Sequence, residues 1–106
     1  MSNRKVLVRV ADFTLLPGAR YVSDGEGSAE QFFDDFIVDK IKEPNNTSLM
    51  IDLDGTAGYA SSFVSELAVR ICKAFGRRYA KKNVEITSNE DPIQKIIFRN
   101  SIEKYR

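Results

Sequence analysis

Histidine is absent from this chain of 106 residues, and cysteine occurs only once. Without histidine, neither a Ser/His/Asp triad nor a Cys–His pair can be built from the chain. The lone Cys72 cannot form an internal disulfide bond, and a zinc site would have only one thiolate and carboxylates as ligands, which is a poor set. These absences argue against enzymes that use a nucleophile and a base, although paired carboxylates remain available for acid chemistry.

An excess of charge and a long apolar run are also missing. Lysine and arginine number 16 against 15 aspartates and glutamates, for a net charge of +1, and this balance argues against a dedicated nucleic-acid or membrane-surface role. The N-terminal residues contain no apolar stretch suited to a signal peptide, and no segment resembles a membrane span. We therefore expect a cytoplasmic protein with one domain, residues 1–106, and no cofactor or metal is indicated.

Strand patterns alternate with helix patterns along the chain. Residues 5–10, 47–53 and 83–87 predict strands, of which the second is apolar enough to be central with both faces covered, and residues 20–22 are a candidate short strand. Helical spacing of apolar residues predicts helices between Ser28 and Pro44, over residues 63–75, and after Pro92 with Ile93, Ile96 and Ile97 facing inward. The basic run of residues 77–82 is interpreted as solvated surface after a helix end. This order predicts an α/β domain with a largely parallel or mixed sheet of about four strands covered by helices.

Residues 51–75 carry the most chemical information. An apolar strand ends in two acids, a glycine-containing loop follows, and two serines open a helix; the residues concerned are Asp52, Asp54, Gly55, Gly58, Ser61 and Ser62. Ligands and partners bind beyond the carboxyl ends of strands in open α/β sheets, and a helix N-terminus there favours anions. A phosphate could be bound at the serines or attached to one of them, or a serine could simply cap the helix.

The acids and one cation of this region also have alternative interpretations. Asp52 and Asp54 share a strand face and could hold Mg²⁺ between them, or a strand-end acid could instead cap the loop that follows. Arg20, beside a glycine-containing turn, could reach the same edge of the sheet as Ser61 and contact an anion there. Cys72 lies on the apolar stripe of the helix and is most simply a core residue.

Two motifs in the chain carry a resemblance to a known family. The run IDLDGT-x-G-x-x-SSF-x-x-E, preceded by DF-x-x-x-PGARY-x-x-DG-x-GSAEQF, resembles the STAS-like domains of unassigned function found in bacteria. These domains are relatives of the STAS domains of anti-sigma-factor antagonists. In the antagonists, a partner kinase of the histidine-kinase-like ATPase fold phosphorylates a serine at the start of the helix after the central strand, and this modification switches partner binding. The resemblance places Ser61 at that position with Ser62 beside it, whereas Ala60 and Phe63 differ from the aspartate and glycine that usually flank the antagonist site.

Three functions follow as hypotheses. The resemblance implies a STAS-like regulatory module without catalytic activity, which docks a protein partner, such as a histidine-kinase-like ATPase, through residues 54–62 and the helix after them. The alternative is a small-ligand or nucleotide-binding module that uses the same loop and helix N-terminus. The third is an enzyme that uses Asp52 and Asp54 with a metal.

Overall fold

The computed structural model describes residues 4–57 and 60–105. One parallel sheet contains three strands, in the order β1 (Arg4–Arg9), β2 (Thr47–Asp52) and β3 (Val84–Thr87). The four helices are α1 (Ala29–Phe32), α2 (Ser61–Phe75), α3 (Arg77–Asn83) and α4 (Ile93–Lys104). Val8 pairs with Ile51 and Ile51 with Ile86, so a row of buried side chains crosses the sheet. The predicted α/β fold is confirmed, with β2 as the central strand.

The candidate fourth strand at residues 20–22 is not formed. A 3₁₀ turn, Val22–Asp24, occupies part of this segment. The backbone N–H of Tyr21 donates to Asp24 Oδ2 at 3.3 Å, and the N–H of Val22 donates to Glu30 Oε1 at 2.9 Å. Because these amides are bound to nearby carboxylates, they are not available to a neighbouring strand. The sheet is therefore one strand smaller than expected and entirely parallel.

The segment between Ser28 and Pro44 is less regular than its apolar spacing predicts. Ser28 caps it as expected, because its Oγ accepts the N–H of Gln31 at 3.1 Å. After α1, however, the chain passes through a π-helical turn, Phe33–Ile37, and a 3₁₀ turn, Val38–Lys40. Phe13, from the loop after β1, packs 5.5 Å and 5.4 Å from the ring centroids of Phe32 and Phe36. The segment therefore packs against a side chain about twenty residues earlier in the chain. The spacing of apolar residues within the segment gives no information about this contact.

Helix α2 is the centre of the core, as its apolar stripe predicts. Phe63, Leu67 and Ile71 are fully buried, and Phe75 packs against the core at the last turn. Gly76 ends the helix in the left-handed region, with φ of +97°, a conformation that glycine adopts at little cost. The expected core helix is therefore confirmed in extent and in phase.

Two segments in the last third of the chain differ in part from the expectation. The four cations of residues 77–82 are exposed, as expected, but the run also forms helix α3, which buries Tyr79 and Ala80. In α4 the buried positions are Gln94, Phe98 and Ile102. Of the three isoleucines expected to face inward, Ile97 packs against the core, whereas Ile93 and Ile96 are 56% and 58% exposed. Residues 94, 98 and 102 repeat every four positions and form one stripe, and Ile93 and Ile96 fall outside it.

The central strand is also covered differently from the expectation. Leu49 and Ile51 of β2 are buried, but Met50 is 43% exposed and Ser48 is half-buried. The alternation shows that β2 is covered by helices on one face only.

A candidate functional site at the carboxyl ends of the strands

The candidate site lies beyond the carboxyl ends of β2 and β3. Two loops meet there: residues 53–60, between β2 and α2, and residues 88–92, between β3 and α4. Parallel strands bring their carboxyl ends to one edge of the sheet, which is where open α/β sheets form ligand and partner sites. Asp54 and Glu90 therefore come into direct contact, although they are 36 positions apart in the sequence.

Asp54 joins the two loops. Its Oδ1 accepts the backbone N–H groups of Asn89 and Glu90 at 2.9 Å and 3.0 Å, and the hydroxyl of Ser88 at 3.1 Å. These donors, with the N–H of Glu90 contributing most, hold the pKa of the Asp54 carboxyl below its usual value. In return, Glu90 Oε1 accepts the N–H of Gly55 at 2.8 Å. The carboxylate of Asp54 therefore has a structural role in holding one loop against the other.

Asp52 stabilises the turn that follows its strand. Its Oδ1 accepts the N–H of Asp54 at 2.9 Å, and its Oδ2 lies 3.7 Å from Nε of Arg9 on the neighbouring strand. The strand-end acid therefore caps the loop, which was one of the two interpretations of its position. Gly55 follows with φ of +90°, a left-handed conformation that accommodates glycine at this turn.

The two acids do not assemble a metal site with other side chains. Within residues 4–57 and 60–105, histidine, cysteine, aspartate and glutamate form no group of three or more that could hold a metal ion. Asp52 and Asp54 are instead engaged with backbone N–H groups of the two loops. The hypothesis of a metal-dependent enzyme gains no support from this arrangement.

Ser61 is the first residue of α2, and it does not cap the helix. The N-cap is Ala60, which is buried and provides no side-chain hydrogen bond. The Ser61 side chain is exposed, and its Oγ lies 3.5 Å from Nε2 of Gln94, at the outer limit of a hydrogen bond. Ser62 is half-buried, and its side chain makes no hydrogen bond within the described part of the chain. The capping role is therefore excluded for both serines, because Ala60 is anchored in the core at the cap position.

Gln94 is a site residue that inspection of the sequence missed. It is 2% exposed, and its Nε2 donates to Asp91 Oδ2 at 2.9 Å while it faces Ser61. Its Oε1 is buried and has no hydrogen-bond partner among the described residues. The signal was present in the Asp91-Pro92-Ile93-Gln94 run, which has the spacing of a capping box at a helix start. Gln94 thus supplies a buried amide group directly beneath the exposed serine.

Two other predicted site residues lie elsewhere or outside the described region. Arg20 lines a shallow groove with Ser65, Val69, Ser101, Lys104 and Tyr105. Ser65 is one helical turn beyond Ser61, and no hydrogen bond or ion pair joins Arg20 to Ser61 within the described residues. The anion contact of Arg20 therefore stays a prediction. Gly58 lies outside the residues that the structure describes.

A polar clamp attaches residues 20–30 to the exterior of α2. Glu66 is 7% exposed, and its Oε2 forms an ion pair with Nε of Arg70 at 3.1 Å. The N–H on this nitrogen does not point at the carboxylate, so the pair is not a hydrogen bond. The guanidinium of Arg70 is also 3.9 Å from Glu30 and lies 5.9 Å from the centroid of the Tyr21 ring. Tyr21, Glu30 and Glu66 all belong to the two sequence motifs, and their contacts with Arg70 hold residues 20–30 against the helix whose first residue is Ser61.

Comparison with protein families agrees with this architecture. The family model described as a STAS-like domain of unknown function matches residues 28–94, from the cap of α1 to the buried glutamine of α4. The chain belongs to this family. The resemblance to STAS-like domains is therefore confirmed. The IDLDGT motif, the last five residues of the motif that precedes it in the chain, and both loops lie inside the matched region. Comparisons with curated proteins and with solved structures found no match.

One general property of the STAS-like domain concerns membranes. In the part of the chain that the structure describes, no helix combines the length and the apolar character needed to cross a bilayer.

Proposed function

We propose that this STAS-like domain is a regulatory interaction module without catalytic activity, which docks a protein partner through residues 54–62 and the first turn of α2. Phosphorylation of Ser61 by a histidine-kinase-like ATPase would switch this docking. One observation carries the proposal: the Ser61 hydroxyl is exposed at the start of the central helix and has no capping role. An exposed side chain whose one hydrogen bond, to Gln94, is at the outer distance limit stays accessible to a partner or a modifying enzyme.

The position of Ser61 is suited to a covalent phosphate. The first N–H groups of a helix have no intrahelical acceptor, and the helix dipole favours negative charge at this end. Nε2 of Gln94 lies beside the Ser61 oxygen and adds a donor. A phosphate brings about −1.5 to −2 charges. The fold should therefore tolerate the modification while the docking surface changes its charge.

The surrounding carboxylates favour this function over the binding of a free nucleotide. Glu90 and Asp91 lie on the loop opposite Ser61, and Asp54 lies between the two loops. A diffusing phosphate ligand would have to approach these acids and overcome their repulsion. A phosphate attached covalently needs no binding affinity for the site, and its repulsion with the acids becomes part of the switch.

The absence of catalysis is part of the same proposal. Burial raises the pKa of the Cys72 thiol, which lowers the thiolate fraction that a nucleophile requires. The chain has no histidine to serve as a base. A hydrolytic activity that disappears in Asp52→Asn or Asp54→Asn, while those variants stay folded, would contradict this part of the proposal.

Capture of partners by three forms of the full chain tests the switch. The wild type, Ser61→Ala and Ser61→Glu are used as baits in lysate of the native host, and mass spectrometry scores both captured proteins and phosphate on the bait. We expect Ser61→Ala to capture the same partner as the wild type and Ser61→Glu to lose it, with phosphate found on wild-type Ser61.

Ser62→Glu is the matched control, since it places the same charge on the neighbouring, half-buried serine. Chemical denaturation should show that Ser61→Ala changes the free energy of unfolding by less than about 0.5 kcal/mol, because no cap is lost. Equal capture by the wild type, Ser61→Glu and Ser62→Glu would exclude this site.

A further inference from the structure

In the part of the chain that the structure describes, the topology of the sheet leaves one of its faces without helices. The three parallel strands lie in chain order, so both crossovers move in the same direction across the sheet. Crossovers between parallel strands are right-handed in nearly all proteins, and two that move in one direction place their helices on the same face. The burial pattern agrees: Val8 and Ile86 are buried on one face, whereas Leu7 and Met50 are 58% and 43% exposed on the other.

We call this second surface the open sheet face. Its side chains alternate with the buried ones along the strands and are Lys5, Leu7, Arg9, Ser48, Met50, Asp52, Glu85 and Thr87. The register places Leu7 directly beside Met50 and Met50 beside Glu85. Two exposed apolar side chains therefore lie side by side on neighbouring strands at the middle of the face.

Several cations lie in a groove that contains Met50. This groove of about 300 Å³ runs along the face and contains Lys5, Lys81, Lys82 and Arg99, with Glu85 as its one acid. Glu85 is already balanced by two cations, since its Oε1 lies 3.7 Å from Lys95 and 3.9 Å from Arg99. Lys81 is paired as well, since its Nζ lies 2.7 Å from Oε1 of Glu103. Lys5 and Lys82 form no ion pair within residues 4–57 and 60–105. The groove therefore has an excess of positive charge.

We propose that the open sheet face docks an acidic amphipathic segment of a partner protein. Apolar side chains of that segment would cover Leu7 and Met50, and its carboxylates would lie opposite Lys5 and Lys82. A second copy of this chain fits less well. Lys5 lies on β1 at one margin and Lys82 beside β3 at the other, and neither has an acidic partner among the described residues, so two such faces would bring unpaired cations against each other.

This docking surface is separate from the one around Ser61. Ser61 begins a helix of the covered face, at the carboxyl edge of the sheet, whereas Leu7 and Met50 project from the opposite face. The two surfaces can be occupied at the same time. The proposal therefore does not depend on phosphorylation or on the partner of the first site.

Two synthetic amphipathic peptides test the charge and apolar requirements on the full chain. Both carry leucines at the same positions, and the polar positions are glutamate in one and lysine in the other. Fluorescence anisotropy should give saturable binding of the glutamate peptide and at least roughly tenfold weaker binding of the lysine peptide, a difference of about 1.4 kcal/mol. Added salt should weaken binding of the glutamate peptide. In NMR spectra its amide shifts should concentrate at Leu7 and Met50.

Variants locate the site and separate it from the first proposal. Met50→Asp and Lys82→Glu should each weaken binding of the glutamate peptide by about tenfold or more, and both should stay folded because the side chains are exposed. Leu16→Asp makes the same kind of change at a leucine that is 69% exposed outside this face, and it should leave the affinity unchanged. Ser61→Glu should also leave it unchanged, whatever its effect on the partner of the first site.

Four results would overturn the proposal. They are absence of saturable binding, equal affinity for the two peptides, unchanged affinity in Met50→Asp, and amide shifts confined to another surface. Sedimentation that shows a dimer of the wild-type chain, lost in Met50→Asp, would assign the face to a second copy instead.

Discussion

Leu67→Ala is expected to remove a large part of the stability of this domain. Leu67 lies in the middle of α2 and is fully buried. Helix α2 packs against α1, α3 and α4, and Leu67 belongs to the same core cluster as Ile51 and Phe98. A truncation here leaves a space that is enclosed on several sides, so the neighbouring side chains can collapse only partly into it.

The magnitude follows from two contributions. Replacing leucine by alanine removes three carbon groups from the core, which costs about 2–3 kcal/mol at roughly 0.8 kcal/mol for each. The residual cavity adds to this cost, and buried Leu→Ala changes span about 2–5 kcal/mol in total. We expect a value of about 3–5 kcal/mol because the site is enclosed. A domain of this size has a free energy of unfolding of about 5–15 kcal/mol.

Urea denaturation followed by circular dichroism measures the effect. Leu16→Ala is the matched control, because the same atoms are removed from a side chain that is 69% exposed, and it should change the free energy of unfolding by less than about 0.5 kcal/mol. The slope of the free energy of unfolding against urea concentration should be the same in both variants, so that the midpoint of the transition alone reports the change in stability. A loss below about 1 kcal/mol in Leu67→Ala, or a loss equal to that of the control, would refute the assignment of α2 as the centre of the core.

Three further changes test other parts of the structure. Hydrogen bonds lower the pKa of Asp54 in the folded state, so its stabilisation is present above the usual aspartate pKa of about 3.9 and is lost as the pH falls through the lower folded-state value. Asp54→Asn should therefore be less stable than the wild type at pH 7, and its free energy of unfolding should fall less as the solution is acidified. Parallel curves of stability against pH for the two proteins would contradict this. Tyr79→Phe removes a 2.8 Å hydrogen bond to the Thr47 carbonyl and should cost about 0.5–1.5 kcal/mol, so unchanged urea denaturation would argue against that bond. Gly27→Ala should lower the free energy of unfolding by at least about 1 kcal/mol, because φ is +74° and the new Cβ would lie 2.9 Å from the Thr14 hydroxyl. A melting temperature equal to that of the wild type would contradict this strain.

Local patterns in the sequence were sufficient for the elements that one segment determines by itself. The stripe from Phe63 to Phe75 predicts α2 in both extent and phase, because a 3.6-residue period reports which side of a helix is apolar. Ser28 is recognisable as a cap because its partner, Gln31, is three residues away. The alternation of strands and helices predicts a parallel sheet, and the position of Ser61 at the start of α2 also follows from the chain order.

What only the tertiary structure decided depends on residues that are distant in the sequence. The apolar residues of α4 give more than one inward face, and packing against α2 selects Gln94 and Phe98 over Ile93 and Ile96. The role of Asp54 depends on N–H groups of a loop some 35 residues away. The open sheet face follows from the order and handedness of the crossovers. A hydrophobic period describes one segment relative to its own axis and contains no information about its neighbours, so these features exist only once the chain has folded.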